Sequence, residues 1–199
     1  MPPELDRFPE GFGGASSTLE AHAAYAEGKR ASEFLLTEAT SRGVCKGVVA
    51  RLFAFSGTGL PLDRHFAIGN FVRDAVTRSE ITITGDGTDV RSYMDGRDMA
   101  EWLLRCCEAG EPGFPYHIGS DQPISILQLA ELVATRAKET LNRKVSVKVL
   151  GDKRDTDGVN RYVPDTAETR RRLNVEQRIS LGESIDAMLL DAERMGSES

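Results

Sequence analysis

The sequence predicts an α/β fold, on three observations. Runs rich in β-branched residues alternate with amphipathic helical patterns along the chain. Glycine-bearing turns separate them, at Gly43, at Gly57 and Gly59, and at Gly85 and Gly87. The chain has 199 residues and 40% hydrophobic content, enough for a sizeable core.

Residues 1–17, MPPELDRFPEGFGGASS, are rich in Pro, Gly and Ser and read as an arm or loop. A helix is expected from Ser17 or Thr18 to about Ser41, with Glu20 in its first turn and Gly43 as its stop. Residues 44–55, VCKGVVARLFAF, read as a buried strand because they are apolar, β-branched and bounded by glycine. The turn-rich SGTGLPLDRH leaves that strand's carboxyl end. A helix over 66–78, a strand EITIT, a turn GDGTD and a strand VRSYM follow. Next come a helix from Gly96 to Ala109 and a short strand FPYHIG. Ser125 is expected to cap a helix with Leu127, Leu129, Leu132 and Val133 on its apolar face. VSVKVL alternates as a strand does. Two tail helices are expected, over 165–173 and 180–194, the second with Leu181, Ile185, Met188 and Leu189 on one face. No internal repeat is visible.

Composition narrows the function classes. A net charge of -6 weighs against a nucleic-acid-binding surface, because phosphate partners favour a basic field. The longest apolar run falls far short of a membrane span, and no charged-then-apolar leader opens the sequence. Cys45, Cys106 and Cys107 show no C-x-x-C spacing and no paired framework, which fits a reduced, cytoplasmic setting. The adjacent pair Cys106 and Cys107 reads as small packing residues. The three histidines are scattered, so a metal site has little support.

The chemistry starts at AAYAEGKRASEFLL. Tyr25 and Lys29 stand four residues apart on an expected helix, so their side chains share one face. An ammonium beside a phenol favours the phenolate, which makes the pair a candidate general acid/base. A solvated Tyr and Lys on an ordinary amphipathic helix is the plainer reading of that spacing alone. Ser56-Gly57-Thr58-Gly59, leaving a strand end, can bring backbone N–H groups close to a phosphate or carboxamide. Arg91 and Arg161 come from distant segments and are candidates to converge on a diphosphate, although either alone is more often a surface charge.

Together these blocks resemble the C-terminal part of the extended short-chain dehydrogenase/reductases, the NAD-dependent nucleotide-sugar epimerase/dehydratase family. The resemblance covers about Ala23 to Arg194 and keeps the family's order. Its pieces are Tyr25-x-x-x-Lys29 with Arg30, Ala31 and Glu33; ARLFAFSGTG; ITITGDGTDVRSYMDGRDMAEWLL; YHIGSDQPISILQLAELV; and NRYVPDTAETRRRLNVEQRISLGESI. It implies Tyr25 as the acid/base on a sugar hydroxyl and Lys29 as the support for the phenolate and the nicotinamide ribose. It further implies Phe53 and Ser56 as cofactor contacts, with Asn70, Arg91 and Arg161 as contacts to the nucleotide-sugar. Asp98, in GRDMA, is implied to be structural. Homo-oligomerisation through the tyrosine-bearing helix is also implied.

The departure from the family matters equally. No G-x-G-x-x-G or G-x-x-G-x-x-G run is present in the 199 residues. Ser16, Ser17 and Thr18 stand too close to Tyr25 to fill the family's upstream Ser/Thr role. The sequence therefore reads as an incomplete Rossmann-like α/β fold, the back half of an enzyme. Residues 1–17 form the arm, 18–60 a remnant of the dinucleotide-binding domain, and 61–199 mainly the small α/β substrate-binding domain. NAD is the implied cofactor, although these residues alone lack its fingerprint. A nucleotide-sugar is the implied substrate, and either a second copy or a complementing N-terminal Rossmann subunit the implied partner. The tyrosine helix and the strand at Val48–Phe53 are expected to expose apolar surface. Three readings follow: an epimerase or 4,6-dehydratase component, inactive alone; a non-catalytic nucleotide-sugar-binding or assembly module; or a purely structural interaction protein, for which every motif above is vestigial.

Overall fold

A computed structural model describes residues 6–13, 19, 23–64, 66–152 and 159–197. The first half runs α1 (Ala24–Ser41), β1 (Val49–Leu52), β2 (Phe55–Ser56), α2 (Ala67–Thr77), β3 (Glu80–Ile83), β4 (Val90–Arg91) and β5 (Met94–Asp95). The second runs α3 (Gly96–Ala109), β6 (Pro115–Ile118), β7 (Ile124–Ser125), α4 (Ile126–Leu141), β8 (Ser146–Val149), β9 (Arg161–Tyr162), α5 (Ala167–Leu173) and α6 (Leu181–Ser197). The α/β expectation holds.

Parallel pairing dominates the short sheets. β1 pairs with β6, β2 with β5 and β3 with β8, all parallel. β4 pairs with β7 antiparallel and with β9 parallel, so residues far apart in sequence share one three-stranded sheet. Two-residue strands such as β7 and β9 carry too little pattern to stand out in a sequence.

The larger core lies between β3 and the helices α2, α4 and α6. Ile68, Phe71, Val72, Ile81, Leu129, Val133, Ile185 and Leu189 are buried there. Ser125 caps α4 as expected, accepting the Gln128 amide while the Gln128 side chain accepts the Ser125 amide in return. Of the four expected apolar residues of α4, Leu129 and Val133 are fully buried and Leu127 and Leu132 pack at the rim. Asn142 ends that helix at φ 54°, in the left-handed region that a C-cap favours. A smaller core holds Met94, Trp102, Cys106, Tyr116, Ile118, Leu173 and Val175. Asp98 accepts the amides of Arg178 and Ile179 at 3.0 and 2.9 Å, which ties α3 to the approach to α6. Its role is structural, as the resemblance implied. Cys106 packs in the smaller core, whereas Cys107 is exposed and does not.

Two expectations change near α1. The long apolar run is not one buried strand: β1 and β2 are separate, and Val49 to Leu52 are half-buried or exposed. β1 has a hydrogen-bonded neighbour only in β6, so one of its edges has no strand beside it among the described residues. Helix α1 has no buried residue, and Phe34 and Leu35 are 68% and 64% exposed. Apolar exposure on these two elements is therefore as expected. The expected helix start at Ser17 or Thr18 lies outside the described residues; the described helix begins at Ala24.

The arm docks rather than trailing. The Phe8 amide donates to the Val163 carbonyl and the Asp165 amide donates to the Phe8 carbonyl, both at 2.8 Å, a parallel bridge beside Pro164. Ser16, Ser17 and Thr18 lie outside the described residues.

Candidate active site

The site starts from helix geometry. Tyr25 and Lys29 lie one turn apart on α1, and the Lys29 ammonium stands over the phenol ring, 5.6 Å from its centroid. Tyr25 is 76% exposed and Lys29 is exposed, and both line one cleft of about 650 Å³ between α1 and β1. Phe53 and Tyr162 close the same cleft. The two candidate catalytic groups and one candidate cofactor contact, Phe53, therefore meet.

Helix and strand are joined by a bidentate ion pair. Arg51 donates to both carboxylate oxygens of Glu33, at 2.8 and 2.7 Å. The Arg51 guanidinium holds the Glu33 carboxyl below its ordinary range, against a smaller opposing effect of burial. This contact sets the height of α1 over β1, and with it where Tyr25 and Lys29 face.

Tyr162, unremarked in the sequence, is the hinge of the arrangement. It walls both the Tyr25 cleft and an adjoining cavity of about 440 Å³ that contains Arg91, Phe55, Phe66 and Tyr93. Register explains this placement: Arg91 lies directly opposite Tyr162 on the β4–β9 pair, so the two side chains share a face. Burial raises the Tyr162 phenol and the nearby Tyr25 phenol raises it further, while Arg91 pulls it down. Its ring lies 4.9 Å from Phe53 at a shallow 32° tilt. Only the pairing of a two-residue strand reveals Tyr162, which is why a linear reading passes over it.

The remaining candidates divide. Asn70 lines a third cavity, of about 690 Å³, which shares Ala67, Asp89 and Ile126 with the Arg91 cavity. The three spaces thus adjoin in the order Tyr25, Arg91, Asn70. The Asn70 side-chain amide oxygen accepts from Arg73 at 3.1 Å. Arg91 donates to the carbonyls of Val90 and Asn160, each at 2.8 Å, and lies 3.6 Å from the Asp89 carboxylate. Arg161 pairs with Val90, one register step from Arg91, and alternation aims it at the opposite face. There its guanidinium donates to the Asp6 carbonyl in the arm. The structure therefore does not bring the two arginines onto one face.

Ser56 is also a correction. Its hydroxyl is buried and bonds to Ser184 on α6 at 2.8 Å, because the β2 end turns into the interior beside Asp95. The loop after it, where Gly57 and Gly59 take φ values of 129° and 79°, lies against Met188, Ala192 and Met195 of α6 rather than on the Tyr25 cleft. Among the described residues, no group of three His, Cys, Asp or Glu side chains gathers as for a metal.

The chain is similar to known proteins along most of its length. The chain is 28% identical over 182 residues to UDP-glucuronic acid decarboxylase 1 of Arabidopsis thaliana, covering 92% of this chain and 40% of that protein. It is 27% identical over 180 residues to decarboxylase 3 of the same plant, covering 90% of this chain and 51% of that one. The chain thus spans about half the length of these curated relatives. Among solved structures, WbmF of Bordetella bronchiseptica in complex with NAD+ superposes with a TM-score of 0.76 at 20% identity, over 96% of this chain and 58% of that one. RMD of Pseudomonas aeruginosa complexed with NADPH gives 0.75 at 24% identity, over 95% and 63%. At such identities the two structures show the fold alone, and they carry the Rossmann-like expectation. The family model for the NAD dependent epimerase/dehydratase family matches residues 7–119, more than half of the sequence and including Tyr25, Lys29 and Arg91. The chain belongs to the NAD dependent epimerase/dehydratase family.

Proposed function

We propose that this chain supplies the acid/base and substrate-holding part of an NAD-dependent enzyme acting on a nucleotide-sugar, of epimerase, 4,6-dehydratase or decarboxylase type. The observation that carries this reading is the row of adjoining cavities, with Tyr25 and Lys29 at one end, Arg91 between and Asn70 at the other. Tyr25 takes the proton of a sugar hydroxyl as general base. Lys29, one helical turn on, holds its ammonium over that ring. Arg91 holds the diphosphate, and the Asn70 cavity receives the nucleoside. Arg161 joins Arg91 only if its side chain leaves the Asp6 carbonyl.

The residues present fit the nicotinamide end of NAD. An exposed ammonium and phenol open together onto a cleft with an aromatic side wall, so Lys29 would hold the ribose and Phe53 would flank the ring. When bound, the nicotinamide supplies the exchange of the carbon-bound hydride. For the cofactor's own diphosphate the 199 residues carry no glycine-rich fingerprint. We therefore take turnover to require a dinucleotide-binding portion in addition to these residues.

The test mixes the chain with a separately produced dinucleotide-binding half of a relative, NAD and UDP-glucuronic acid or other UDP-sugars. Turnover is expected only in the mixture, and Tyr25→Phe should lower it by about 10²–10⁴-fold with UDP affinity unchanged. No turnover by any folded mixture would reject the catalytic reading. The absent fingerprint favours a second reading, a nucleotide-sugar-binding or assembly module. It expects calorimetric binding of UDP by this chain alone, with no response of this chain to NAD. Self-association through the outward apolar residues of α1, Phe34 and Leu35, belongs to the same proposal and is read by sedimentation. No described helix is long and apolar enough to cross a membrane. Three unpaired cysteines fit cytoplasmic residence.

A further inference from the structure

The arm makes more contacts with the site than a connecting loop needs. The Phe8 ring packs edge-on against Tyr162 at 5.6 Å and against Phe12 at 5.5 Å, and lies 6.3 Å from Phe53. Its backbone forms the bridge to Val163 and Asp165, immediately after Tyr162. Two residues on, Glu10 is 7% exposed. Its carboxylate accepts the Thr169 amide at 2.7 Å and the Thr169 hydroxyl. Thr169 stands in the first turn of α5, whose own N-cap, Thr166, makes no side-chain cap bond. Glu10 thus caps α5 from the arm, satisfying an amide that the helix cannot.

The same contacts reach the catalytic helix. Arg51 donates to the carbonyls of Glu10 and Phe12 at 3.4 and 3.2 Å while it grips Glu33 on α1. Thr169 also accepts the His117 amide at 2.9 Å, and the His117 ring meets Asp165 and Phe53. The arm is therefore bonded on one side to the segment that carries Tyr162 and on the other to the element that carries Tyr25.

We propose that Phe8 and Glu10 are positioning residues, which fix Tyr162 across the cleft from Tyr25 by tying β9 and the start of α5 to the Arg51–Glu33 pair. The physical argument is one of freedom removed. β9 is two residues long and, among the described residues, has a strand partner on one side only, so the β4 ladder alone leaves its angle loosely set. The backbone bridge and the ring cluster fix that angle, and the Glu10 cap fixes the helix that follows. The consequence for substrate rests on the nucleotide-sugar reading above; the placement of Tyr162 does not.

The test uses the full chain labelled with 3-fluorotyrosine. Its four tyrosines, Tyr25, Tyr93, Tyr116 and Tyr162, are assigned by single Tyr→Phe changes. Phe8→Ala should move and broaden the Tyr162 fluorine signal and leave those of the core residues Tyr93 and Tyr116 in place. Phe8→Leu should restore most of the shift, and UDP affinity should fall about tenfold in the alanine variant only, the scale of one misplaced polar contact. Should Phe8→Ala not fold, Glu10→Ala against Glu10→Gln is read in the same way. An unmoved Tyr162 signal would overturn the proposal, as would movement of all four signals together. Absence of UDP binding in the unmutated chain would instead reject the nucleotide-sugar reading, with the Tyr162 signal still deciding the role of the arm.

Discussion

The two ends of the row of cavities are held in contrasting ways. Around Asn70 the walls come from α2 and β3, which share a hydrophobic core with α4 and α6. Around Tyr25 the walls come from α1, which has no fully buried residue, and from β1, which among the described residues is paired on one side. The first end is fixed by the hydrophobic effect, which needs no particular partner atom. The second is fixed by directional contacts: the Arg51–Glu33 pair, the bridge at Phe8 and the Glu10 cap. A helix held this way is placed accurately by few bonds and is correspondingly easy to release.

The contrast can be broken or sharpened by experiment. Leu129→Ala, at a fully buried position among α2, α4 and α6, should cost about 2–5 kcal/mol by denaturant titration. That loss should raise amide exchange throughout the larger core; a smaller cost confined to α4 would mean that this end is less cooperative than its packing implies. His117 is next. Burial pushes its pKa down to about 4, with the Asp165 carbonyl opposing and Arg51 assisting. The unfolded chain's histidine takes its proton near 6.5, so the unfolded state binds more protons between those values. Stability should be fully present above about pH 6.5 and fall on acidification toward pH 4, by on the order of 3 kcal/mol. His117→Gln should flatten that slope, and an unchanged slope would remove His117 as its cause.

Ser125→Ala should cost about 1 kcal/mol through loss of the reciprocal cap on α4, measured as a shift in urea midpoint without change in slope. Glu33→Gln should have the smallest global effect, about 1 kcal/mol or less for a pair left nearly a third exposed. Its local effect should be larger: faster amide exchange in α1 with the larger core unchanged. Because Arg51 lowers the Glu33 pKa, the pair's contribution is present above the unfolded carboxyl value and is lost as pH falls through the folded one. Equal exchange rates in the variant and the parent would show that α1 is held by something other than this pair.

Much of the fold could be read along the chain. Strong periodicity located α2, α3, α4 and α6, with Ile185, Met188 and Leu189 buried as their spacing required. The Tyr25–Lys29 pair was legible because one helical turn relates the two residues locally. The surroundings of Ser56, Arg161 and Tyr162 are not legible locally, because each depends on which element lies beside its strand, and a register shift of one residue reverses the face. The docking of the arm escaped notice too, since Pro, Gly and Ser content reports backbone freedom and not where Phe8 and Glu10 find partners.

The amino-acid order by itself determined most of the helices, the cap at Ser125 and the shared face of Tyr25 and Lys29, because each follows from contacts within a turn or two. Only the tertiary structure decided that Arg91 shares a face with Tyr162, that Ser56 turns inward and that the arm joins both sides of the cleft. Those outcomes come from pairings far apart in sequence, as between Val90 and Arg161, where the free energy of packing the whole selects the register and no local preference can.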